Sequence, residues 1–404
     1  MGALASIAVV GASLAGLRAA EALRRLGFAG RLALVGAERH LPYDRPPLSK
    51  EVLRGTRAPE TLALCKPGAW DALDLDLRLG VRATGLDPAR RRVALATGEE
   101  LAFDGLVIAT GATPRALPRT PPLAGIHTLR SLDDCLAIRA ELECGPRVAV
   151  VGAGFIGAEV AATCRQRGLE VTLLEALPAP LAAALGPEIG ALLGAIHRDH
   201  GVDLRCGVGV AGFSGGARVE EVRLGDGSRA AADLVVVGIG VAPETGWLAG
   251  SGLELADGVV CDETLATGAP GIVAAGDVAR WTNPLFGESM RVEHWTNAVE
   301  QGEAAAARLL AGAGGASPFA PVPYVWSDQY DCKIMSAGSF RADDERRIVH
   351  GSLAERRFVA LYGREGRLVG ALAMNRARQL VGYRRQIREG ASLEEAVARA
   401  AAGP

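Results

Sequence analysis

The chain is short of lysine, of paired cysteines, of net charge and of long apolar runs, and each shortage narrows what it can be. Of its 44 basic residues only Lys50, Lys66 and Lys333 are lysine, and the rest are arginine. A lysine here is therefore informative, because a compact ammonium of adjustable pKa differs from a planar, permanently charged guanidinium. A formal charge of −2 gives no global basic field for nucleic acid. Across 404 residues no apolar run reaches the ~18 residues of a membrane-spanning helix. The seven cysteines are scattered, with no C-x-x-C or C-x4-C spacing. They are expected to be buried, inert thiols. The six histidines never cluster with them at ligand spacing, so no metal site is expected. The first residues carry neither a basic leader nor a cleavage site, and a cytoplasmic protein is expected.

What the chain has in quantity is glycine, 52 residues of it, arranged as a weak internal copy. "IAVVGASLAGLRAAEALRRLG" recurs as "VAVVGAGFIGAEVAATCRQRG", with Gly11 and Gly152 as the first glycines. Each copy reads as an apolar strand, a glycine loop and an amphipathic helix ending at a glycine, Gly27 or Gly168. Each is followed by another apolar strand, "RLALVG" or "EVTLLE", and later by a strand closing on a glycine turn at Gly111 or Gly240. Two βαβ units are predicted.

The second loop, "GAGFIG", carries Gly152, Gly154 and Gly157. These suit a tight turn, close approach to a pyrophosphate, and close helix–strand packing, with the helix N-terminus facing the phosphates. The first, "GASLAG", keeps Gly11 and Gly16 but has Ser13 in the middle. Its hydroxyl can itself donate to phosphate, so this loop too is read as a dinucleotide site. Glu38 and Glu175 follow the two loops at or just past the end of the second strand, where a carboxylate accepts ribose hydroxyls. No Arg or Lys lies in 176–186 to receive a 2′-phosphate, which favours NAD over NADP. Two dinucleotide units suggest a resident FAD on the first and an exchanging NADH on the second.

In order along the chain, "GASLAGLRAAEALR", "LPYDRPPLSKEVL", "LVIATGATPR", "LRSLDD", "VVGAGFIGAEVA", "GIGVAPET", "VAAGDVA", "EHWTNAVEQG" and "PYVWSDQYD" resemble the FAD-dependent NAD(P)H:ferredoxin reductases, the reductase components of bacterial oxygenase and cytochrome P450 systems. The resemblance covers nearly the whole chain. It implies an α/β fold of glutathione-reductase-like architecture, with two Rossmann-like domains for FAD and NAD and a C-terminal α+β domain. It implies that Lys50, with Arg45 and Pro47 in the same loop, reaches the flavin near N5, where a cation favours the negative charge of reduced flavin. Glu159, on the first turn after "GAGFIG", pairs with that lysine on the nicotinamide side, beside Phe155 and Ile156 of the NAD loop. Asp277, after Gly276, binds the ribityl chain. Ala15, Val81, Thr110, Gly111 and Arg130 join the FAD contacts. Glu293, His294 and Trp295 open a helix whose N–H groups meet the pyrimidine edge of the flavin. Trp326 lies over the flavin or nicotinamide face. One acid of the family's pair after the second strand is missing, since Ala37 precedes Glu38, and Glu244 stands where an Asn is commoner.

The expected domains are a discontinuous FAD domain (1–115 and 245–318), an NAD domain (116–244) and, after a Gly/Ala/Pro-rich linker, an interface domain (321–404). The last is read as antiparallel strands turning at "HGS" and "GREG", with a helical tail capped by Ser392 and Glu395. It holds 14 Arg and Lys against 10 Asp and Glu, with Arg376, Arg378, Arg384, Arg385 and Arg388 in one acid-free stretch. Ferredoxins of such systems are acidic, so this patch is a candidate docking surface for one. A related disulfide reductase would need a cysteine pair that is absent after the first unit. An NADH-responsive flavoprotein that signals by binding a protein, as apoptosis-inducing-factor-like relatives do, would keep both loops and stays open as the alternative.

Overall fold

The computed structural model describes residues 4–66, 68–312 and 314–402. Ala313 of the expected linker, and the outermost residues of the first and third expected domains, lie outside them. The chain divides into two compact units. Unit 1 comprises Met1–Asp44, Leu62–Thr113 and Ala242–Pro323, and unit 2 comprises Arg45–Thr61, Pro114–Val241 and Tyr324–Pro404.

Unit 1 is organised by a five-stranded sheet in the order Ile272–Ala274, Gly105–Ile108, Ser6–Val10, Arg31–Gly36, Leu75–Leu79. The pairings are parallel. Ser6–Val10 is an unbroken apolar run after its first residue because helices and strands cover both faces of a parallel sheet. The helix Leu14–Arg25 buries Leu14, Ala15, Leu17, Ala19, Ala20, Ala22 and Leu23. It ends at Arg25, two residues before Gly27, whose φ of +89° is a left-handed terminus. It lies against the helix Trp295–Ala311 at very short range: a β-carbon on Gly302 would sit 2.5 Å from the carbonyl oxygen of Ala15.

Unit 2 repeats the plan. Its parallel sheet runs Asp203–Cys206, Val171–Glu175, Val148–Val151, Leu234–Val237, Ile126–Thr128. The registers match those of unit 1: Val10 pairs with Val35 and Ile108, and Val151 with Leu174 and Val237. The helix Phe155–Gln166 takes the place of Leu14–Arg25 and ends before Gly168, at φ +81°. Residues 324–374 add a five-stranded antiparallel sheet, Tyr324–Gln329, Cys332–Gly338, Arg367–Met374, Arg357–Arg364, Glu345–Ser352. The tail helix Leu393–Ala401 carries the expected capping box of Ser392 and Glu395.

One expectation about the chain's course needs correction. "HGS" (350–352) is not a turn but the end of the strand Glu345–Ser352; the register shifts between Ile348 and His350, a bulge at Val349, and Gly351 pairs with Phe358 beyond it. The reversal follows at 353–356, whereas "GREG" does turn at 365–366. The segment Arg45–Thr61 groups with unit 2. Its carbonyls are claimed there: Ser49 O accepts from Thr163 Oγ1 at 2.8 Å, Leu53 O from Arg167 Nη1 at 3.0 Å, and Leu48 O from Cys135 Sγ at 3.2 Å. Among the described residues no helix is long and apolar enough to cross a membrane, and no group of three His, Cys, Asp or Glu is placed to hold a metal.

Candidate functional site

The two glycine loops are built alike. Gly11 N–H donates to Val35 O at 2.8 Å, and Gly152 N–H to Leu174 O at 2.7 Å. Gly11 has φ +121° and Gly152 φ +96°, outside the comfortable range of any residue with a β-carbon. The helices that follow have no side-chain cap at Ser13 or Gly154 and no acid in the first turn. Their first N–H groups therefore face outward with the positive end of the dipole, the arrangement that receives phosphate. Around Gly154 the space within 4 Å of a hypothetical β-carbon is empty, and its φ of −71° suits any residue. Its glycine answers no demand of the folded chain, which fits a pyrophosphate lying against the loop.

The acids after the loops are differently held. Glu175 accepts from Ala153 N–H at 2.7 Å and from Leu177 N–H at 2.8 Å, so one backbone N–H of the loop and one beyond the strand fix this carboxylate. Glu38, two residues past the end of its strand, accepts from Tyr43 Oη at 2.5 Å.

Of the residues expected to hold FAD, unit 1 contains Gly11, Ser13, Ala15, Gly16, Glu38, Val81, Thr110, Gly111, Gly276, Asp277, Glu293, His294 and Trp295. Thr110 Oγ1 donates to Glu244 O at 2.8 Å, and Trp295 Nε1 to Asp44 Oδ1 at 2.9 Å. Glu293 pairs with Arg291 at 2.7 Å. His294 occupies the N-cap position of the helix Trp295–Ala311 without making a side-chain cap bond, and its Nδ1 is buried without a partner. Burial pushes its pKa down to about 4, partly opposed by the Asp277 charge. Gln301, on the same helix, accepts from Gly276 N–H at 2.8 Å while its Nε2 is also buried and orphaned. Buried polar atoms without partners are rare in finished folds. These two beside an uncapped helix terminus fit a polar dinucleotide such as FAD. Gln301 was not singled out in the sequence; its signal was its place within "EHWTNAVEQG", four residues after Asn297, on the face of the helix that turns inward.

Arg45, Pro47, Lys50, Arg130 and Trp326 lie in unit 2 with the NAD loop. Arg45 Nη1 donates to Arg130 O at 2.6 Å. Glu159 stands one turn further into its helix than expected and is 3% exposed. Lys50, 8% exposed, donates to its Oε2 at 2.7 Å. Ser49 Oγ donates to the same oxygen at 2.5 Å, and Ser327 Oγ to Oε1 at 2.8 Å. A buried ion pair is costly to form and tolerable only where hydrogen bonds satisfy it; here the serines do so. Ser49 and Ser327 carried no signal beyond their adjacency to Lys50 and Trp326.

The arginine stretch is less uniform than its sequence. On the helix Ala377–Arg388, Arg378, Arg385 and Arg388 are exposed around Val381, itself 72% exposed. Arg376 turns back to Arg357 O, and Arg384 lies over the Tyr324 ring at 5.5 Å, so neither adds to an open basic face. The thiols also divide. Cys65, Cys135, Cys164, Cys261 and Cys332 are buried, but Cys144 is exposed in the turn after the helix Leu132–Leu142 and Cys206 is half-buried. Burial pushes Cys164 and Cys261 up to about 12, far from thiolate chemistry.

Comparison with known proteins agrees with this architecture. The pyridine nucleotide-disulphide oxidoreductase family matches residues 5–302, and the reductase C-terminal family matches 324–403. The chain is 37% identical to the 5,5′-dehydrodivanillate O-demethylase ferredoxin reductase subunit of Sphingobium sp., over 96% of this chain and 94% of that one. It is 39% identical to the anthranilate 1,2-dioxygenase system ferredoxin–NAD(+) reductase component of Burkholderia cepacia, over 95% and 94%. A crystal structure of the covalent putidaredoxin reductase–putidaredoxin complex superposes with a TM-score of 0.92 at 34% identity, covering 96% of this chain and 94% of that chain.

Proposed function

This chain belongs to the pyridine nucleotide-disulphide oxidoreductase family, and within it to the FAD-dependent ferredoxin reductases, and we propose that it carries electrons from NADH through FAD, singly, to a ferredoxin serving an oxygenase or cytochrome P450. FAD, when bound, supplies the exchange between a two-electron hydride donor and a one-electron acceptor. The observation that carries the reading is the presence, in one chain, of two phosphate loops of the same build together with the C-terminal antiparallel sheet.

The residues have separate tasks. The loop at 11–16, with Gln301, His294 and Glu38, holds the resident dinucleotide. The loop at 152–157 and Glu175 hold NADH; a carboxylate fixed by two backbone N–H groups accepts ribose hydroxyls and repels a 2′-phosphate. Lys50 places a cation where charge accumulates on reduction, and Glu159 keeps it there. Arg378, Arg385 and Arg388 steer the acidic partner in. The protein works in the cytoplasm, beside the NADH pool.

The test is direct. The purified protein should be yellow, and NADH should reduce it and drive ferredoxin-dependent cytochrome c reduction. NADH should exceed NADPH by at least ~10-fold in kcat/KM, the equivalent of about 1.4 kcal/mol. Preference for NADPH would overturn the assignment of Glu175. Reversing the three exposed arginines to Glu should raise the KM for ferredoxin about 10-fold and flatten its dependence on salt. Electrons delivered to no ferredoxin, with a long-lived reduced form instead, would favour the signalling alternative.

A further inference from the structure

We propose that Ser327 is a positioning residue for the Lys50–Glu159 pair: braced by Gln329, its hydroxyl holds one carboxylate oxygen of Glu159 so that the other stays on the lysine. This rests on the reading that the pair serves the exchange between nicotinamide and flavin.

The direction of the bonds carries the inference. Gln329 Nε2 donates to Ser327 Oγ at 3.2 Å, and Ser327 Oγ donates to Glu159 Oε1 at 2.8 Å. A serine hydroxyl has a single hydrogen. With the amide hydrogen arriving on a lone pair, that hydrogen is committed to the carboxylate. The two oxygens of Glu159 are thereby divided. Oε1 belongs to Ser327, while Oε2 receives Ser49 and Lys50. Ser327 and Gln329 are both fully buried, so no water competes for either position.

This hydrogen-bonded chain ends without a second charge. Beyond Gln329 stands His197, fully buried, which shares a hydrogen bond with Tyr330 Oη at 3.0 Å. Burial holds this imidazole neutral, with its pKa pushed down to about 4 against an opposing hydrogen bond from Gln329. Lys50 therefore has no cationic rival for Glu159 along this path.

Three stretches far apart in sequence meet at this carboxylate: the Lys50 loop, the NAD-loop helix, and the first strand of the C-terminal sheet. Without the serine, Oε1 becomes a buried acceptor without a donor, a costly state. The carboxylate then turns to reclaim donors shared at Oε2, and the ammonium moves with it. Reactions that depend on placement lose about 100-fold for a displacement near 1 Å.

The test uses the full-length, flavin-loaded protein and the variants Ser327→Ala, Ser327→Thr, Ser327→Cys and Glu159→Gln. Two quantities are read: the limiting rate of flavin reduction by NADH in stopped flow, with the Kd for NADH, and the flavin midpoint potential. Ser327→Ala should slow the limiting rate about 10-fold while Kd changes less than about 2-fold. Its potential should shift in the same direction as that of Glu159→Gln. Ser327→Thr, which keeps the donor, should restore both; Ser327→Cys, a weak donor of similar shape, should fall between and serves if the alanine variant does not fold. Wild-type rate and potential in Ser327→Ala, alongside a defective Glu159→Gln, would overturn the role of Ser327 alone. A threonine variant as impaired as alanine would reduce that role to packing. If Glu159→Gln were itself silent in both measurements, the reading of the pair would fail first, and this inference with it.

Discussion

Gly11 and Gly152 occupy the same place in the two units, and a β-carbon on either would collide with a carbonyl of a neighbouring strand segment. It would meet Ala109 O at 2.0 Å in one unit and Gly238 O at 2.4 Å in the other. Gly16 and Gly157 correspond as closely, each with a hypothetical β-carbon 1.9 Å from the carbonyl oxygen of its loop's first glycine. The middle positions diverge. One is Ser13, the other Gly154, and the second has open space around it. The outer glycines are thus requirements of the folded chain, whereas at the middle position the fold accepts serine in one loop and leaves open space around glycine in the other. A loop can lose its central glycine and keep its architecture, which is why "GASLAG" folds as "GAGFIG" does.

The comparison breaks most severely at the outer glycines. Gly16→Ala and Gly157→Ala each drive a methyl into backbone that cannot yield, at a cost of about 1–3 kcal/mol, and both push the helix terminus off its loop. Their consequences should separate. Gly16→Ala should purify without flavin. Gly157→Ala should purify yellow but show no NADH-dependent bleaching. Absorbance at the flavin band before and after NADH reads both. Loss of flavin from Gly157→Ala would show that the loops do not serve different nucleotides.

A smaller difference lies in two histidines, one per unit, the first fully buried and the second half-buried. His197 in unit 2 and His294 in unit 1 are both pushed down to about 4 by burial. An unfolded histidine titrates near 6.5, so as pH falls the unfolded chain takes up protons first. The stability each neutral imidazole contributes is complete above that value and is lost progressively toward pH 4. For the fully buried His197 the loss between pH 7 and pH 5 is about 2 kcal/mol. Replacing His197 with Gln should flatten the fall in melting temperature over that range, whether or not flavin is bound. The contribution of His294, whose Nδ1 is orphaned beside the expected flavin site, should change when flavin is stripped. Equal pH dependence of wild type and His197→Gln would overturn the assignment.

What the sequence made legible follows from range. Glycine loops, the acids after them and the Ser392 capping box are local devices, decided by residues a few positions apart, and they appear where the pattern put them. The home of Arg45–Thr61 was not legible, because its partners Cys135, Thr163 and Arg167 are 87 to 114 residues away and nothing in their identity marks them. Nor were Ser49, Gln301, Ser327 and Gln329. A polar residue near a motif has the same letter whether it faces water or a buried carboxylate. "HGS" misled for a related reason: residues that suit a turn also occur at a strand end, and only pairing with Arg357–Arg364 distinguishes the two.

The finest form of the comparison exchanges the middle residue. Gly154 has an ordinary φ and no atom within 4 Å of the added methyl, so Gly154→Ala should alter stability by less than about 0.5 kcal/mol in either direction. If the open space is where a pyrophosphate lies, the same methyl should weaken NADH binding about 10-fold, or about 1.4 kcal/mol. Ser13→Gly, the reciprocal change, restores the pattern of the second loop; at φ −125° the serine is relaxed already, so the fold loses at most the chain stiffness that glycine lacks. Flavin should be retained, with a shift in its affinity that measures the hydroxyl's contribution to phosphate. Calorimetric melting and NADH titration of the two variants separate demands of the fold from demands of the ligand. A Gly154→Ala protein that melts well below wild type, yet binds NADH normally, would reverse the roles assigned to the loop's positions.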